Sequence, residues 1–166
     1  MSRGFAAIAL HQPKDPLNVG EVLRAAGCYG AAMVAASGVR YRRARTDTQA
    51  AHRHLPLLAC DDLRTMIPHG AVPVAVDLIE GAQALPDYKH PRSAFYVFGP
   101  EDGTLGPEVL AWCRDIVCVP TRYCMNLAAA VNVVLYDRAA KQAGRRPLDA
   151  DLSAERVSLA DEAGAE

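Results

Sequence analysis

"CMNLAAAVNVVLYDRAAK", residues 124–141, opens a long apolar helix through an irregular entrance that follows the proline turn "VPTRY" (119–123). Asn126 suits a helix cap, because its side-chain oxygen can accept a hydrogen bond from an orphan amide of the first turn. It also stands just past a predicted strand, "DIVCVP" (115–120), and α/β sheets keep their ligands beyond the carboxyl ends of strands. Both roles are open to it on these residues alone.

Upstream, short apolar runs alternate with helical patterns. "FAAIAL" (5–10), "AMVAAS" (32–37), "LPLLAC" (55–60), "VPVAVDL" (72–78) and "SAFYVFG" (93–99) read as strands that precede 115–120. "NVGEVLRAAGCYG" (18–30) reads as a helix with Val19, Val22, Leu23 and Ala26 on one face and Gly30 at its end. "DDLRTMI" (61–67) starts on a cap-like Asp, and "GPEVLAWC" (106–113) reads as a further helix. Strands separated by helices predict an α/β domain with a mostly parallel sheet flanked by helices, since each crossover must cover a face of the sheet. The expected domain is residues 1–145. The remainder, 146–166, is acidic and poor in large apolar residues, and is expected to be a disordered tail.

Composition narrows the function classes. At 166 residues and 51% hydrophobic content the chain suits one domain with a sizeable core. Its formal net charge of −1 gives no global sign of a nucleic-acid binder, so such a role must rest on local clusters. Five cysteines without paired short spacing argue against a disulfide framework or a zinc site, and no metal is expected. The N-terminal apolar run ends at His11 and Pro13, too short for a signal or membrane segment. A cytoplasmic location is the expectation.

Three irregular stretches follow predicted strands: "HQPKDPLN" (11–18), "GPEDGTLG" (99–106) and "PTRYCMN" (120–126). The second lacks the Gly-Lys-Ser/Thr of a phosphate loop, and the first turn lacks a dinucleotide fingerprint. A flavin- or nucleotide-binding doubly wound domain is disfavoured on that ground. Taken singly, each stretch has an ordinary explanation: a cap at Asn18, a solvated helix arginine at Arg24, a tight turn around Glu101.

Together, "NVGEVLRAAGCYGA" (18–31), "FGPEDGTLGPEVL" (98–110) and "VPTRYCMNLAAAVNVVLYD" (119–137) resemble, in order and spacing, the three motifs of SpoU-like (TrmH-like) RNA 2′-O-ribose methyltransferases of the SPOUT superfamily. The resemblance implies an α/β domain with a C-terminal trefoil knot that binds S-adenosylmethionine and releases S-adenosylhomocysteine. It casts Asn18, Arg24, Glu101 and Asn126 as functional residues. It also implies that the cofactor is held by backbone groups around Val76, Asp77 and Leu78, at Gly99, at Val119, and at Cys124, Met125 and Leu127. Arg24 is too basic to act as a proton acceptor, so the expectation is that it binds the phosphate beside the target ribose. Two positions depart from the family pattern: Cys124 and Ala128 stand where many relatives carry serine. Backbone contacts survive both changes, whereas a hydroxyl role does not.

The basic stretch "GVRYRRARTDTQAAHRH" (38–54) holds Arg40, Arg42, Arg43, Arg45 and Arg53 beside Tyr41, and is expected to contact RNA. The compact chain looks most like the minimal branch of the family that methylates tRNA, including the wobble nucleotide, and implies a homodimer formed near the knot. An rRNA substrate, or an RNA-binding protein of this fold without catalysis, are the alternatives.

Overall fold

The computed structural model describes residues 4–38 and 55–143. Seven strands form one sheet: β1 (Ala6–His11), β2 (Val34–Ser37), β3 (Leu57–Cys60), β4 (Val72–Val76), β5 (Gln83–Ala84), β6 (Ala94–Phe98) and β7 (Asp115–Cys118). Their order is β3-β2-β1-β6-β4-β7-β5, and every neighbouring pair is parallel. The chain first lays strands outward from β1 through β2 to β3. It then returns to place β4 and β5, and finally inserts β6 between β1 and β4, and β7 between β4 and β5.

The central strands are apolar on both sides because both faces are covered. Ile8 and Leu10 of β1, Tyr96 and Phe98 of β6 and Val117 of β7 face the same apolar core as two long helices. These are α1 (Pro16–Cys28), which contributes Val19, Val22 and Leu23, and α3 (Leu127–Ala143), which contributes Val131, Val134 and Leu135. Each such side chain, fully buried, stabilises the fold by about 1.5 to 3 kcal/mol. Alternate residues, Ala7 and Ala9 of β1 and Phe95 and Val97 of β6, pack on the opposite face with Leu63, Leu105 and Val109.

The caps explain where the helices begin and end. Asp15 precedes α1 and its side chain accepts from Leu17 N at 2.9 Å, while Gly30 follows with φ of 64°, the left-handed geometry that favours glycine. Two expectations need correction. The helix predicted over 106–113 is only one turn, α2 (Pro107–Leu110), opened by Gly106 at φ 77°; its apolar residues fill the second face without needing a longer helix. The segment 61–67 forms a 3-10 turn, Leu63–Met66, capped by Asp62 rather than by its first residue. β5, with the 3-10 turn Leu85–Asp87 behind it, falls in a polar stretch that carries no strand signal.

A buried polar clasp ties the amino ends of the strands to the second half of α3. Arg138, only 5% exposed, donates to the carbonyls of Pro91 (2.7 Å), Arg92 (2.6 Å) and Phe5 (3.1 Å) and to the hydroxyl of Tyr96 (3.1 Å). A guanidinium only donates, so the Tyr96 oxygen accepts from it and gives its own proton to His90 Nδ1 at 2.6 Å. His90 Nε2 must then carry the ring proton, which it donates to Asp137 at 2.8 Å. Burial holds His90 below its ordinary pKa, although Asp137 pulls it upward; Arg138 and Lys141 push further down. Burial likewise pushes the Tyr96 hydroxyl up to about 12. Lys141 completes the clasp through Asp137 (2.6 Å) and the carbonyls of Leu85 (2.5 Å) and Tyr88 (3.1 Å).

The basic stretch from residue 40 to residue 53 and the acidic tail lie outside the described residues. No helix among the described residues is long and apolar enough to cross a membrane.

Candidate active site

At the opposite, carboxyl ends of β4, β6 and β7, three loops and the first turn of α3 line a half-open cavity of about 420 Å³. That size falls within the range of small-molecule sites. Val76, Leu78, Phe98, Val119, Met125 and Leu127 supply apolar wall. The turn 99–104 supplies backbone, and Asp77 spans the gap by accepting from Leu105 N at 2.8 Å. Gly99 has little spare room: a Cβ there would meet Leu105 N at 3.3 Å. A side chain there would press on the turn at 104–105, so glycine suits the position.

All eight residues expected around the cofactor, Val76, Asp77, Leu78, Gly99, Val119, Cys124, Met125 and Leu127, line this cavity. Three of the four residues expected at the chemistry are joined by hydrogen bonds at its edge. Asn126 accepts from Ala128 N (2.9 Å) and Ala129 N (3.2 Å), which makes it the cap of α3, and its Nδ2 donates to Asn18 Oδ1 at 2.9 Å. Asn18 Nδ2 in turn donates to Glu101 Oε1 at 2.7 Å. The polarity is fixed from both ends, since helix amides can only donate and a carboxylate can only accept. Asn126 thus takes its cap role and a site position together.

Glu101 also accepts from the amides of Lys14 (3.0 Å) and Asp15 (3.4 Å), so one carboxylate bolts the loop after β1 to the loop after β6. Burial pushes its carboxyl up, but the bonds from Asn18 and from the amides of Lys14, Glu101 itself and Asp15 outweigh that and hold it below the usual carboxylate range. An ion pair between Lys14 and Asp102 reinforces the same junction. Lys14 and Asp15 were not singled out as site residues in the sequence, although "KDP" immediately precedes Leu17 and Asn18 there.

Arg24 stands apart. It is exposed on α1, outside the cavity lining, and makes no hydrogen bond or ion pair among the described residues. The arrangement offers a half-open, mostly apolar cavity, a hydrogen-bonded amide pair at its edge and, on the exposed side of α1, a guanidinium without an ion-pair partner among the described residues. No group of three or more His, Cys, Asp or Glu side chains among the described residues is disposed to hold a metal.

Residues 6–136 match the SpoU rRNA Methylase family. The chain belongs to that family. SpoU methyltransferases use S-adenosylmethionine, and this SpoU chain has the architecture of their solved structures. It is similar to A. aeolicus TrmH/SpoU, a tRNA modifying enzyme, with a TM-score of 0.73 at 15% identity, covering 84% of this chain and 76% of that one. The SpoU methyltransferase AviRb from Streptomyces viridochromogenes, solved in complex with the cofactor AdoMet, gives 0.69 at 19% identity over 86% of this chain and 59% of its own. This chain therefore spans about three fifths of AviRb. A structure described as giving insights into the 2-OH methylation of C/U34 on tRNA gives 0.65 at 26% identity, covering 87% of this chain and 94% of that one. No curated protein sequence matches this SpoU family member significantly.

Proposed function

We propose that this chain binds S-adenosylmethionine in the cavity and methylates a ribose 2′-hydroxyl of tRNA, with the wobble nucleotide of the anticodon as target. The observation that carries this is the bonded junction of Asn18, Glu101 and Asn126 at the edge of a 420 Å³ cavity. The choice of tRNA is supported by the similarity to the C/U34 structure, which extends over nearly all of that chain. An rRNA substrate is the second reading, favoured by the similarity to the Sinorhizobium meliloti rRNA methyltransferase, 19% identical.

The residues present fit the cofactor. Residues 76–78, 99, 124, 125 and 127 line the cavity, and its apolar side chains suit the flat face of an adenine ring. When bound, S-adenosylmethionine supplies a methyl carbon on a positively charged sulfur, which leaves the protein chiefly a problem of placement. Asn18 is suited to placing the ribose: one amide proton goes to Glu101 and one lone pair to Asn126, and its remaining proton and lone pair are available to sugar hydroxyls. Glu101, with its acceptor sites occupied and its carboxyl held ionised, is a positioning residue rather than a base. Arg24, in this reading, grips the phosphate next to the target ribose through the forked donors of its guanidinium.

The insertion of β6 and β7 between strands already laid down is the arrangement that a trefoil knot requires, and the family knot and knot-side homodimer belong to this proposal. So does phosphate contact by Arg40, Arg42, Arg43, Arg45 and Arg53. Replacing Arg42, Arg43 and Arg45 with serine should flatten the salt dependence of RNA binding, because fewer phosphates are neutralised; an unchanged slope rejects that contact. The deciding assay is transfer of labelled methyl groups from S-adenosylmethionine into tRNA and, separately, into rRNA from cells lacking this protein, followed by nucleoside analysis. Label in a 2′-O-methylated tRNA nucleoside is the expected result. Label in rRNA alone selects the second reading, and label in neither rejects both.

A further inference from the structure

Tyr123 is 75% exposed, yet its backbone is not loose. Thr121 Oγ1 donates to the Tyr123 carbonyl at 2.8 Å and lies 3.4 Å from that of Val119, closing a tight turn. Thr121 and Cys124, on either side, both line the cavity, and Asn126 three residues on bonds to Asn18. A large ring is thus anchored on the cavity rim, where a polar residue would cost less in exposed apolar area. Arg122 lies over that ring, its guanidinium carbon 5.9 Å from the centroid, and makes no ion pair among the described residues.

We propose that Tyr123, with Arg122 over its ring, is a stacking platform for the base adjoining the target nucleotide. This rests on the reading above that the chain acts on RNA. Aromatic rings and guanidinium planes hold unstacked bases on their faces, and a free cation beside the ring has a phosphate to meet in the same ligand. An apolar partner surface seated on this spot would instead have to bury the Arg122 charge unpaired, which is unfavourable. The charge on the patch therefore selects RNA over an apolar partner surface. Tyr123 acts on specificity and binding, and no bond is made or broken at it.

The test compares Tyr123→Ala, Tyr123→Leu and Tyr123→Phe in steady-state methyl transfer to total tRNA, with filter binding of the same tRNA and calorimetry of S-adenosylmethionine alongside. Stacking predicts a KM for tRNA raised roughly tenfold or more in the Ala and Leu variants, with Phe close to the parent, and kcat and cofactor affinity unchanged. A Leu variant as good as the parent reduces the contact to apolar area and overturns the platform, as does an unchanged KM in the Ala variant. Tyr123→Ala that changes sedimentation from dimer to monomer assigns the ring to a partner copy and overturns it equally. Filter binding separates this from the reading beneath it. A parent protein that holds tRNA through Tyr123 without methylating it removes the methyl-transfer reading and keeps the platform; a parent that holds no tRNA removes both.

Discussion

The two ends of the sheet are both polar, and they differ in what they leave over. At the amino end, Arg138, Tyr96, His90, Asp137 and Lys141 satisfy one another and five backbone carbonyls within the protein. At the carboxyl end, Asn18, Glu101 and Asn126 lock three loops together beside a cavity while Asn18 keeps a proton and a lone pair, and Arg24 and Arg122 make no ion pair among the described residues. A closed network stabilises a fold, whereas a network with groups to spare can recognise something else. The clasp should therefore report on stability and the junction on turnover.

Arg24→Ala is the sharpest way to break that division. We expect methyl transfer to fall by at least about a hundredfold, as when a charge-stabilising group is removed from a reacting centre, with cofactor affinity and the unfolding midpoint unchanged. Activity equal to the parent on the correct RNA would remove Arg24 from the site. Arg138→Ala should do the reverse. It strips three carbonyls of their guanidinium donor and leaves the Tyr96 hydroxyl only its bond to His90, for a loss of about 3 to 5 kcal/mol by denaturant titration, with turnover per folded molecule preserved.

Glu101→Gln sharpens the comparison from the middle. The amide keeps the shape and can accept at one oxygen only, so the bolts to Lys14, Asp15 and Asn18 cannot all survive. Turnover should fall about tenfold and stability by about 1 kcal/mol. In the parent, Glu101 has a lowered folded pKa, so its contribution is present above the ordinary value of 4.5 and disappears as pH falls through the folded one.

His90 supplies the smallest effect and the opposite end's own pH signature. Its folded pKa lies below the ordinary 6.5, so the unfolded chain takes up the proton first. Stability is complete above pH 6.5 and declines as pH falls through the folded value, against Asp137, which favours the charged ring, and Arg138 and Lys141, which oppose it. Urea midpoints on either side of pH 6.5 should show this slope in the parent and a shallower one in His90→Gln, where His11, also held below its ordinary value by burial, still contributes.

The strands were legible because β1, β2 and β6 are buried and apolar, as is the second half of β4, and α1 and α3 because their apolar residues recur at helical spacing. α2 was overestimated, since Trp112 and Cys113 look helical in sequence but pack on the second face from a turn. The site was legible as residues and not as bonds. Asn18, Glu101 and Asn126 stand at predicted strand ends, while their hydrogen bonds join positions 83 and 108 residues apart. The clasp escaped notice for the same reason, although one local signal pointed to it. Arg138 continues the buried stripe of Val131 and Leu135, and a charged residue on such a stripe needs partners.

The strand order also bears on how the chain is made. β6 enters between β1 and β4, both of which precede it in the chain. During synthesis β1 and β4 therefore leave the ribosome with unpaired edges facing an empty slot, and the sheet stays divided until residues 94–98 emerge. Open apolar edges of this kind invite pairing with other nascent chains. Yield on expression should thus depend on chaperone supply during the interval between β4 and β6, independently of how stable the finished protein is.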